Sequence, residues 1–241
     1  MKKNILRIIA VIIVLFLAVA FVAKFGGPNI LKLYIETGIG NCQKIPILCM
    51  MPQEKITNPE INKEYLSELT YLTFPKIGIY VPKGFSVVQE NIKKVYYKKR
   101  QRKFAHAAIY LLYEEPDFFV NLFPQLKKVG IRNDYEFFER VMSARITNIK
   151  NITDAFFVII KGVFIPDLGN QEKAKMAQFT VSDKKGFINY NLSKPDNYFD
   201  CNVFNQQGDY FKIYIKDVGA RLDLNKVLMF ISTINKIKEP K

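Results

Sequence analysis

Histidine is almost missing from this chain: His106 is the only one in 241 residues. A single imidazole cannot complete the familiar Cys/His zinc sets. Three cysteines, Cys42, Cys49 and Cys201, are one short of a four-thiolate site, so the pattern carries no metal signature. No Gly-x-Ser-x-Gly elbow occurs, and no cysteine has a recognisable nucleophile context. Gly38 and Gly40 are too few and wrongly placed for a phosphate-cradling loop. Internal repeats and low-complexity tracts are also missing, and no cofactor is indicated.

What the chain does have is an apolar run at residues 8–23 without one polar or charged side chain. It is 16 residues long, and residues 5–25 extend it to 21 if Arg7 and Lys24 snorkel outward, enough for a single spanning helix. Ile8, Val11, Leu15, Val19 and Ala23 are the expected membrane-spanning positions. Lys2, Lys3 and Arg7 precede the run with no acid to offset them, which places the amino end in the cytoplasm and residues beyond about 28 outside it. The alternative is a cleaved signal peptide, for which Ala18, Val19 and Ala20 offer a small-x-small site; Phe21, Val22 and Ala23 continue the apolar character through that cut. Both readings export the domain.

The chain holds 36 Lys and Arg against 22 Asp and Glu. Beyond residue 28 the balance is 32 to 22, in a stretch long enough for one good-sized core or two small ones. A basic exported domain fits anionic headgroups or a membrane or envelope protein as partner, rather than nucleic acid. In an oxidising compartment Cys42 and Cys49 can bridge around QKIPIL, leaving Cys201 a buried thiol in a predicted strand; otherwise all three are reduced.

Three segments are expected: an anchor or signal peptide at 1–28, a connector and arm at 29–64, and an α+β domain at 65–241. Residues 30–35 read as an apolar helix stopped by Gly38 and Gly40, and the proline-rich stretch 41–62 as an irregular tether. Strands are expected at 76–81 and 84–88, then at 92–97 and 104–113 around Lys98, Lys99, Arg100, Arg102 and Lys103. Five like charges in six residues resist burial, so this cluster is read as a solvent-projecting hairpin turn, a candidate anionic-surface contact. A helix follows behind Asp117, interrupted at Pro124, and another behind Asn133 in a capping box with Glu136. Residues 155–165, with Asp154 as a cap, suit either helix or strand. From Lys175 the pattern changes to period two, a four-strand meander, and residues 224–237 form a closing amphipathic helix capped by Asp223.

Ile79, Tyr80, Val81, Pro82, Lys83, Gly84 and Phe85, the meander with Gly186, Phe187 and Ile188, and the final amphipathic helix together resemble the PsbP-like, Mog-type α/β/α sandwich over residues 74–235. Phe85 stands where that family often places tryptophan, and this chain has none. The resemblance implies a helix-covered, mostly antiparallel sheet serving as a binding or assembly module, without shared catalytic machinery; it carries over no site residues.

The first expectation is therefore a membrane-tethered, non-enzymatic extracytoplasmic domain contacting a partner protein or anionic lipid. A second is an exported hydrolase using His106 with Glu114 or Asp117. A third is a structural subunit of an envelope or secretion assembly.

Overall fold

The computed structural model describes residues 27–60, 62–74, 76–90, 94–102, 105–166, 168–169 and 171–237. It is mixed α+β, with a mostly antiparallel sheet and helices. Among the described residues the helices are α1 (Pro28–Gly38), α2 (Lys63–Ser67), α3 (Phe118–Leu122), α4 (Asp134–Ser143), α5 (Ile152–Phe164) and α6 (Leu224–Ser232). None is long and apolar enough to cross a membrane; the expected span, with Ile8, Val11, Leu15, Val19 and Ala23, lies outside the described residues. The chain divides into two compact units, a smaller one of residues 27–51 with Arg140–Ile165 and a larger one of Pro52–Glu139 with Pro166–Lys241. This division differs from the expected boundaries at 29–64 and 65–241, because the stretch read as an arm joins helices from the middle of the chain.

The smaller unit is helical. Helix α1 has Pro28 in its first turn, where a missing N–H costs nothing, and it turns Leu31 and Ile35 inward. They pack with Leu48, Ile146, Ile149, Ala155, Val158 and Ile159. The ambiguous segment is helix α5, not a strand. Asn151 accepts a hydrogen bond from the Asp154 amide at 2.9 Å, so the cap is Asn151 and not Asp154. Asp154 itself reaches back to accept from the Lys150 amide at 3.0 Å. Consecutive residues of α5 from Ala155 to Lys161 are buried, so its β-branched residues are packed on every side, which outweighs their weak preference for strand.

The larger unit is built on an eight-stranded sheet. Its strands in chain order are β1 (Glu54–Thr57), β4 (Ser86–Glu90), β5 (Lys94–Arg102), β6 (Ala105–Glu114), β7 (Lys175–Val181), β8 (Lys184–Ser193), β9 (Asp196–Phe204) and β10 (Tyr210–Val218). Their spatial order is β1-β7-β8-β9-β10-β6-β5-β4, antiparallel except that β1 runs parallel to β7. Strand β1 lies within the stretch expected to be an irregular tether; Gln53 N bonds to Met176 O and Asn58 N to Thr180 O, extending the ladder at each end. A second sheet, in the order β11 (Asn235–Lys236), β3 (Ile77–Pro82) and β2 (Leu69–Phe74), includes one strand more than expected before residue 76 and one more in place of the last turns of the closing helix.

Period-two burial sets the two faces of the large sheet. Ile109, Leu111, Phe179, Ile188, Phe199, Val203, Phe211 and Ile213 share one core with Ile77, Ile79 and Val81 of β3 and with Val227, Leu228 and Ile231 of α6. The alternate positions meet α3 and the first turns of α4 through aromatic rings: Phe138 lies 5.1 Å from Tyr210 and from Phe119, and Tyr135 stacks 5.6 Å from Phe187. The helix expected behind Asp117 stops at Leu122, because Pro124 starts a separate 3-10 turn ending at Gly130 in the left-handed region (φ 84°). Asp117 also has φ 61° and makes no side-chain cap bond, contrary to its expected role.

Candidate functional site

The register of β5 with its neighbours corrects the reading of the basic cluster as a turn. Lys98 pairs with Ser86 on one side and Ala108 on the other; beyond it Lys99 pairs with Ala107, Arg100 with His106 and Arg102 with Ala105 across a bulge. Thus Lys98, Lys99, Arg100 and Arg102 occupy a strand. Lys103 lies outside the described residues, as do the side chains of the other four. The β10 pairing to β6 ends at Lys216 opposite Ala108. Past Ala108 and Lys98, β5 and β6 therefore continue as a two-stranded ribbon, with no third strand paired to either side among the described residues. Lys98 is paired on both sides, and Lys99, Arg100 and Arg102 follow it on the part of β5 that pairs with β6 alone.

At the other end of the same strands, the turns after β7 and β9 and the start of α4 enclose a cavity of about 610 Å³. Asn205 shapes one wall: its amide nitrogen donates to Asp209 at 2.8 Å and its carbonyl oxygen accepts from the Asp209 amide. Lys185 places its ammonium 3.8 Å from the centre of the Tyr135 ring, and Lys184 bonds to Asp183 at 2.5 Å. Asp134 is the buried acid of the cavity. One carboxylate oxygen accepts from the amides of Phe119 and Val120, at 2.9 and 3.0 Å, while the other has no hydrogen-bond partner among the described residues. Burial pushes its pKa up to about 6 against the pull of those amides, with Asp117 adding to the rise. Amides, carboxylates and two lysines line this cleft with hydrogen-bonding groups. Nothing in the sequence singled Asp134 out beyond its place in the first turn of a predicted helix.

The remaining candidates separate. His106 and Glu114 stand eight residues apart on β6, roughly 26 Å along an extended strand, and Asp117 lies further on. The strand therefore does not bring them together as a proton relay; the His106 side chain is outside the described residues. Glu115, just past the end of β6, joins an ion cluster: Lys236 approaches it at 2.9 Å, Lys76 at 3.2 Å, and the Tyr113 hydroxyl donates to it at 2.9 Å. The Lys236 contact is the main cause of its pKa falling to about 2. Cys201 is buried, which pushes its thiol pKa up and away from nucleophile behaviour. Cys42 and Cys49 form a disulfide with a Cα–Cα distance of 5.6 Å. Among the described residues no three His, Cys, Asp or Glu side chains gather as a metal set.

No family model matches the chain, and no curated protein matches it. Among solved structures, a crystal structure from Bacteroides thetaiotaomicron VPI-5482 is similar over 70% of this chain at 7% identity, with a TM-score of 0.30. The match spans half of that protein's length, and likeness at this level carries no argument about fold or activity.

Proposed function

We propose that the chain is a non-catalytic binding or assembly module, held outside the cytoplasm by its apolar leader and pressed to an anionic surface by the β5–β6 ribbon. The observation that carries this reading is the extension of β5 and β6 beyond their neighbours at Lys98 and Ala108, where three cations of the cluster, Lys99, Arg100 and Arg102, lie on the strand. Near an anionic leaflet each Lys or Arg contributes about 1 kcal/mol, so the cluster suffices for reversible contact. The Cys42–Cys49 bond supports an oxidising location. The resemblance to PsbP-like, Mog-type proteins, with a helix-covered sheet as α/β/α sandwich, supports binding rather than catalysis. In such a module the amide-lined cleft at the opposite end of the strands faces away from the lipid and is available to an envelope protein or a polar ligand.

Two experiments test the reading. The chain from residue 27 onward, mixed with vesicles, is expected to co-sediment with phosphatidylglycerol and not with phosphatidylcholine. Replacing Lys98, Lys99, Arg100, Arg102 and Lys103 with Gln should remove most of that binding; indifference to either change ends the lipid reading. A reporter enzyme fused to the carboxy terminus should be active only outside the cytoplasm, and cytosolic activity would remove the tether.

A further inference from the structure

In the smaller unit, Arg140, Arg145 and Lys150 line one cavity of about 350 Å³, with a single carboxylate, Asp154, among them. That carboxylate is already engaged: one oxygen lies 3.7 Å from Arg140, and the other accepts from the Lys150 backbone amide. Among the described residues neither Arg145 nor Lys150 has an ion-pair partner. The Nε of Arg145 is moreover buried and donates to no acceptor among them. A guanidinium N–H withdrawn from water without a partner is costly, and an acceptor entering the cavity recovers that cost.

Packing fixes the backbone at Arg145 and sets one ring against Arg140. Arg145 lies between Ala144, whose carbonyl accepts from the Lys161 ammonium at 3.0 Å, and Ile146, which is fully buried. The Arg140 guanidinium sits 5.9 Å from the centre of the Phe157 ring. Asn151, the cap of the thirteen-residue α5, lines the same cavity, so the positive end of that helix adds to the field. Three cations against one acid leave an excess of two positive charges, and a guanidinium fork matches paired oxygens on a tetrahedral anion.

We propose that this cavity, between the end of α4 and the start of α5, is an oxyanion site that takes a phosphate-type group through Arg145, Arg140 and Lys150. The phosphate belongs either to a free anion or to a phospholipid headgroup. The site goes beyond the ribbon reading and shares no residue with it.

The test titrates the full chain in zwitterionic nanodiscs by calorimetry, with inorganic phosphate in one arm and short-chain phosphatidylglycerol in the other, and chloride at matched ionic strength as control. One saturable site is expected in at least one arm. Tenfold tighter binding of the lipid assigns the headgroup; equal or tighter binding of inorganic phosphate assigns the free anion. Arg145→Gln should weaken binding at least tenfold. Asn148→Asp, at an exposed position lining the cavity, adds a negative charge without touching the core and should weaken it too, which protects the test if Arg145→Gln fails to fold. Absence of saturable binding in both arms, or affinity unchanged in the folded variants, overturns the proposal. The five-Gln ribbon variant should bind phosphate normally, so failure of the ribbon reading and failure of this one are told apart.

Discussion

The ammonium of Lys161 donates to the backbone carbonyl of Met142 at 2.8 Å, tying the last turn of α5 to the last turn of α4. Met50 and Ala144 supply two further carbonyls at 2.6 and 3.0 Å, so one fully buried lysine satisfies three carbonyls from two chain segments at once. Lys161→Met keeps the volume of the stem and leaves those carbonyls without their donor. It should lower stability by about 2–4 kcal/mol, read as faster hydrogen exchange of α5 amides. Burial, with Arg145 adding to it, lowers the Lys161 pKa to about 7. The unfolded chain holds this proton up to about 10.4. Between those values the unfolded state binds more protons, so stability rises with pH across that window in the wild type and not in the variant.

Asp134 has the opposite sign. Its folded pKa of about 6 exceeds that of a free aspartate, so its contribution is fully present at the lowest pH and is lost as pH rises through 6. Asp134→Asn retains an oxygen for the amides of Phe119 and Val120 and removes the buried charge. Melting temperature measured from pH 3 to 7 should fall for the wild type relative to this variant between about 4 and 6, and the gap at pH 7 should be about 1–3 kcal/mol in favour of asparagine. Asp134→Ala takes the acceptor from both amides and should be less stable than Asp134→Asn by about 2 kcal/mol at any pH, since neither replacement titrates.

The disulfide closes a short loop, for which chain entropy gives about 2.5 kcal/mol. Cys42→Ser should cost that amount in thermal melts, and the wild type should lose the same amount on adding reductant. Because Met50, next to Cys49, receives the Lys161 ammonium, the Cys42→Ser and Lys161→Met effects should be non-additive by more than about 0.5 kcal/mol in a double-mutant cycle. Additive losses would mean the two restraints act on separate parts of the smaller unit.

The sequence alternation and its turn residues made the meander readable: each of β7 to β10 appears close to its expected place, although β8 and β9 are packed on both faces. Asp223 and Asn133 could also be read as caps, and they accept from Lys226 and Glu136 at 2.8 and 2.9 Å. Long-range partners were not readable. Strand β1 exists only through its ladder to β7, more than a hundred residues away, and its own four residues carry no period. Lys161 looks like a charge interrupting an apolar segment until Met50 and Met142 are placed beside it. Arg145 and Lys150, likewise, are two of many surface cations in one dimension and share a cavity only after α4 and α5 have folded.

Gly186 offers a sharper test of the large sheet. It lies on β8 between Phe179 of β7 and Val203 of β9, and a Cβ there would come within 2.0 Å of the Asn202 carbonyl oxygen and 3.0 Å of the Phe179 ring. The nearer obstacle is backbone in a central strand, so relief requires β8 and β9 to separate, and the Phe179 ring behind cannot move without disturbing the core it fills. Gly186→Ala should therefore cost about 3 kcal/mol or more in urea unfolding, well above the gain that Ala over Gly normally brings by restricting the unfolded chain. A neutral outcome at this position would mean that the β8–β9 register differs from the one that pairs Gly186 with Val203, and it would displace the turns lining the Asp134 cavity with it.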